Sequence, residues 1–161
     1  MAQIFQVVAL GVATLGTGAA TMTVMRGDVP DLVVPEGNWS AGTQLDGKTF
    51  DFVGADLNSG EVLTDELVFR DGTFQSSNCQ IYCDFGWSDY QTKTVGDVIH
   101  FTARTACPTA PHTVVWYGTV NGDTVEVEGT WTTRRWYWTH QIVFAGSGSA
   151  AAPVPGQDVE G

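Results

Sequence analysis

The feature that most constrains this chain is a regular succession of turn signals separated by short apolar stretches. Turn-forming residues stand at Asp46-Gly47, Ser59-Gly60, Asp71-Gly72, Phe85-Gly86, Gly96-Asp97, Pro108-Thr109 and Asn121-Gly122, and again near Arg134-Arg135, at intervals of roughly 11 to 14 residues. Intervals of that length between Gly-, Asn- and Asp-containing turns predict strands joined by hairpins. The stretches between them have a period of two. Val125, Val127, Gly129 and Trp131 fall on one face, while Glu126, Glu128, Thr130 and Thr132 fall on the other. Ile99, Phe101 and Ala103 likewise oppose His100, Thr102 and Arg104, and Trp138, His140, Ile142 and Phe144 oppose Tyr137, Thr139 and Gln141. Each strand therefore has one face to bury. With no helical stretch long enough for a crossover, the expected fold is all-β: an antiparallel up-and-down barrel of about eight strands. A two-sheet sandwich is the competing solution, and the dominance of hairpin connections favours the barrel.

Composition narrows the function classes. A net charge of −11 repels a phosphate backbone, which argues against nucleic acid as a partner. Residues 2–25 carry no charged side chain, and residues 4–20 read IFQVVALGVATLGTGAA, apolar enough for a signal-peptide core or a short membrane anchor. No Lys or Arg precedes the run, whereas the small residues near Ala19 and Ala20 offer a cleavage site, so both readings stand. The organisation expected is a signal peptide or anchor over 1–24, a proline-containing linker over 25–36, a β-barrel domain over 37–146 and a disordered tail over 147–161.

Gly37-Asn38-Trp39 before the first strand resembles the Gly-x-Trp opening of the lipocalin and calycin group. In that group a late basic side chain packs over the first-strand tryptophan, a role the resemblance gives to Arg134 or Arg135 as a cation–π stack. Across residues 39–146, the stretches LDGKTFDF, VFRDGTFQSSNCQIYCDF, GDVIHFTA, VVWYGTVNGDTVEVEGTW and IVFAG look like small lipocalin-like bacterial envelope proteins. FRDGTFQSSNC is also locally similar to META-type envelope domains. What the resemblance implies is a lipocalin-like barrel in the periplasm or another extracytoplasmic space, either free or anchored at the inner membrane. Function transfers poorly from such a fold.

Cys79, Cys83 and Cys107 allow one disulfide and leave one thiol. Along one extended strand Cys79 and Cys83 would lie too far apart to pair, which favours Cys107 as the partner of one of them, unless a turn brings the close pair together. Metal-ligand spacing is missing among the cysteines and among His100, His112 and His140, so no metal or cofactor is expected. Ser76, His140 and Asp89 could be assembled into a triad on paper, but no nucleophile elbow supports hydrolysis. Six tryptophans are the most distinctive feature of the domain. Trp39, Trp116, Trp131 and Trp138, with His140, are expected to face the barrel mouth, while Trp136 and Tyr137 form an exposed patch at the last hairpin. The function expected is non-catalytic binding of a small apolar or aromatic ligand. The alternative is an accessory subunit of a membrane protein complex, held by the N-terminal segment.

Overall fold

The computed structural model describes residues 34–152. The segment expected to be a signal peptide or anchor, most of the expected linker and residues 153–161 lie outside them. Nine strands and one helix follow in order: β1 (Ser40–Ala41), β2 (Thr49–Asp56), β3 (Val62–Arg70), β4 (Thr73–Ser76), α1 (Ser77–Cys83), β5 (Ser88–Val95), β6 (Val98–Ala106), β7 (His112–Asn121), β8 (Thr124–Arg135) and β9 (Trp138–Ala150). The strands form one antiparallel sheet in the order β1-β5-β4-β3-β2-β9-β8-β7-β6, and the β5–β6 ladder closes it into a ring. From β2 to β9 each strand pairs with the next in sequence, and β9 returns to β2 from Asp56↔Phe144 to Phe50↔Ala150. Every turn predicted from the sequence falls between two of these elements or within one residue of a strand end.

Alternation along the strands places the core inside the ring. Phe50, Phe69, Phe74, Tyr90 and Phe101 are almost wholly buried, and Phe69 meets the rings of Phe74, Tyr90 and Phe101 at 5.1, 5.1 and 5.0 Å. Offset and edge-on contacts of this kind favour the positive edge of one ring against the negative face of another. Glycines make room for these rings. Gly118 pairs with Phe101 across β6–β7 and Gly129 with Phe144 across β8–β9, and a Cβ on either glycine would run into its partner's ring.

One end of the ring is plugged. Leu45, in the turn before β2, is fully buried, its N–H donating to the Tyr90 hydroxyl at 3.2 Å. That hydroxyl donates to Asp46 Oδ1 at 2.9 Å, and the same carboxylate accepts the Gly72 N–H. The other end is spanned by α1. Ser76 caps its N-terminus by accepting the Cys79 N–H at 3.1 Å, and Asp84 ends it in the left-handed region, at φ 50°.

Two expectations need correction. β9 runs to Ala150, so residues 147–150 belong to the sheet and not to the tail. Their small side chains are what the β2–β9 seam accommodates: a Cβ at Gly146 or Gly148 would land on the backbone of β2. The extended course considered for Cys79 to Cys83, beside a turn between them, does not hold either: Ser77 to Cys83 is α1, because β4 stops at Ser76 where the capping hydroxyl redirects the chain.

Candidate functional site

At the end that α1 crosses, the ring holds a cavity of about 390 Å³. Its floor is Phe52, Trp116 and Phe144, its walls include Leu63, Trp131 and Ile142, and α1 contributes Cys79, Ile81 and Tyr82. Trp116 is nearly buried, its indole N–H donating to the Thr105 hydroxyl at 3.0 Å. Trp131 is half-buried, with Tyr82 edge-on at 5.0 Å and Phe85 at 5.4 Å. Its indole N–H donates to the Thr133 hydroxyl, which also bonds His112 Nδ1 at 2.9 Å.

The charged group of the lining is Asp65, inward-facing on β3 among Leu63, Leu67 and Phe69. It accepts the Ser76 hydroxyl at 2.5 Å, the Asn78 N–H at 2.9 Å and the Glu66 N–H at 2.8 Å, so it fastens the start of α1 to the sheet. Burial pushes its carboxyl above the ordinary carboxylate value, and the hydrogen bonds from Ser76, Asn78 and Glu66 pull in the other direction. The far end of α1 is fastened by the Cys83–Cys107 disulfide, with the two Cα atoms 5.6 Å apart. Cys79 is the free cysteine among the described residues. Burial raises its thiol to about 11, so at neutral pH it is protonated and acts as an apolar wall.

No family model matches this chain, and no curated protein or solved structure matches it either.

Of the residues expected at the mouth, Trp116 and Trp131 line the cavity and three others do not. Trp39 lies outside the ring, edge-on to Tyr117 at 6.4 Å, because it precedes the sheet and enters across the outer face of β7. Trp138 and His140 are exposed. The alternation was read in the right phase, but the wall stops short of them: β2 pairs with β9 only from Phe144 onward and β7 reaches β8 only to Thr133, so the β8–β9 hairpin overhangs. Arg134 and Arg135 are exposed at the end of β8 and do not stack on Trp39. Glu128, the strand partner of Tyr117, stands six residues back along β8, or about 20 Å at the rise of a strand. The arginine that does cover an indole is Arg70, at 4.4 Å from Trp87. Ser76 is engaged by Asp65 and Cys79 while His140 lies on the overhang, so those two are not brought together for catalysis.

Among the cavity residues that sequence reasoning missed are Phe52, Leu63, Asp65, Asn78, Ile81 and Tyr82. Two signals were present: a carboxylate at an inward position of β3, and Ser76-Ser77-Asn78, a run suited to capping a helix.

Proposed function

We propose that the protein is an exported or membrane-tethered lipocalin-like barrel that binds a small apolar or aromatic ligand, without catalysis, in the cavity beneath α1. The observation that carries this reading is the cavity of about 390 Å³ walled by Phe52, Trp116, Trp131 and Phe144. Sites for small molecules are concave, mostly apolar and a few hundred cubic ångströms in volume, with a small number of polar groups to orient the ligand. Asp65 and Asn78 provide such groups at one wall. The packed aromatic half behind Phe69 leaves this end as the place where a ligand fits. Residues 4–20 support export or tethering through their uncharged, mostly apolar character.

The test is a titration of the full chain with a panel of apolar and aromatic fluorophores, read by their emission and by tryptophan fluorescence. A saturable response with one site is expected. Trp131→Ala should weaken it roughly tenfold, as expected for the loss of about 1.4 kcal/mol of aromatic contact. Leu63→Trp, which fills the cavity, should abolish it. An unmodified chain that gives no saturable response to any member of the panel, or a Leu63→Trp chain that binds unchanged, would overturn the reading.

A further inference from the structure

The overhanging end of the β8–β9 hairpin has no part in the cavity, and packing does not account for it. Trp136 is 94% exposed, Tyr137 63% and Trp138 40%. The rings meet edge to face in sequence, with centroids 4.8 Å apart for Trp136 and Tyr137 and 6.2 Å for Tyr137 and Trp138. A contiguous aromatic tip held in water costs solvation free energy and marks a contact surface.

Charge says what the surface meets. The chain carries −11 overall and only 7 basic side chains, yet Arg134 and Arg135 both adjoin the tip. From Gly129 to Ala145 there is no acidic residue. Beside the tip, on the outer face of β6, β7 and β8, lies a groove of about 470 Å³ whose lining includes Arg104, His112 and Arg134 and no carboxylate. Asp56, whose carboxyl is held below the ordinary carboxylate value by hydrogen bonds from Ser59 and Asn58 and to a lesser degree by the charge of His140, sits back in the β2–β9 ladder at Phe144, behind the overhang. Aromatic rings with a polar edge beside arginines are the combination that settles at the boundary between lipid tails and headgroups, the rings inserting and the guanidiniums reaching phosphates.

We propose that this hairpin docks the protein on an anionic lipid surface: Trp136, Tyr137 and Trp138 enter the interface, and Arg104, Arg134 and Arg135 bind lipid phosphates. This surface is independent of whether the cavity takes a ligand.

Residues 1–33 contain no tryptophan, so indole quenching by brominated lipid reads the folded domain whatever the N-terminal segment does. The full chain is mixed with vesicles of brominated phosphatidylcholine and phosphatidylglycerol in equal parts, and separately with brominated phosphatidylcholine alone. Quenching is expected with the anionic vesicles, and it should fall to background in the Trp136→Phe/Trp138→Phe chain. In Arg134→Gln/Arg135→Gln, the lipid concentration for half-quenching should rise roughly thirty-fold, since each basic residue at an anionic surface is worth about 1 kcal/mol. Thermal melts of the variants check folding, and Trp136→Gln alone serves if the double variant does not fold. Unquenched fluorescence, quenching that survives the loss of both indoles, or equal quenching on the two kinds of vesicle would overturn the proposal. So would a concentration-dependent dimer that the Phe substitutions dissolve, since a second copy would then be the occupant.

Discussion

Tyr90 shows how much one hydroxyl can organise. Its ring is almost wholly buried against Phe69, and its oxygen accepts the Leu45 N–H while donating to Asp46. Burial, followed by the bond to Asp46, pushes the phenol well above its ordinary value, so it stays a donor throughout the neutral range. A Cβ at Gly42 would overlap the same ring, so the loop before β2 is shaped around it. Tyr90→Phe keeps the packing but strands the Leu45 N–H in the core and leaves Asp46 with the Gly72 N–H alone from this network. The expected cost is about 2 kcal/mol, since an orphaned buried donor loses its full desolvation free energy. Urea unfolding should show a lower midpoint with an unchanged slope; a midpoint equal to that of the unmodified chain would mean that water replaces the hydroxyl. The inward place of Tyr90 follows from period-two alternation in β5, but its partners do not. Leu45 and Asp46 lie 45 and 44 positions away, a separation that only the folded chain brings to hydrogen-bonding distance.

Among the elements, α1 is the one that no strand pattern announces. It is a strap with two fastenings, Asp65 and Ser76 at its start and the Cys83–Cys107 bond at its end, and between them it roofs the cavity. The pairing stays open in the sequence because an extended chain keeps Cys79 and Cys83 apart while a turn would bring them together, and neither course says which of the two reaches Cys107. In a helix the two cysteines are one turn apart, Cys79 turns inward and Cys83 is left to reach the β6–β7 connection. Replacing both bonded cysteines by Ser should cost about 3 kcal/mol, the stability expected from closing a loop of this length, with a sequence separation of 24. The loss should be local before it is global. Amide exchange in α1 should accelerate while the β7–β8 ladder keeps its protection at low denaturant. Equal acceleration in both would show that the strap is not a separable unit. The β8–β9 hairpin teaches a related lesson: alternation assigned Trp138 to the inner phase, yet a phase has meaning only as far as neighbouring strands build a wall.

At the scale of the whole molecule, closure is the decisive property, and it was legible because successive hairpins with one apolar face each leave no other way to remove two sheet edges. Where the ring would close was not legible. Gly146-Ser147-Gly148-Ser149 has the composition of a linker, and nothing local distinguishes it from one. Its role appears only when β2 is laid against β9: Gly54 faces Gly146, and the two backbones approach so closely that a Cβ at Gly146 would collide with the Val53 carbonyl and the Gly54 Cα. The neighbouring Ser147 points outward and is exposed. The same enlargement at these adjacent positions should therefore have opposite consequences. Gly146→Val forces backbone against backbone, which side-chain rotation cannot relieve, and should cost at least about 3 kcal/mol. Ser147→Val adds a β-branched side chain to a solvated strand face and should stay within about 0.5 kcal/mol of the unmodified chain. If β9 is the closing strand of a cooperative ring, Gly146→Val should lower the near-ultraviolet and far-ultraviolet circular dichroism transitions together, because opening the seam exposes the core shared by β2, β8 and β9. A Gly146→Val chain as stable as Ser147→Val would mean that residues 146–150 do not close the sheet in solution.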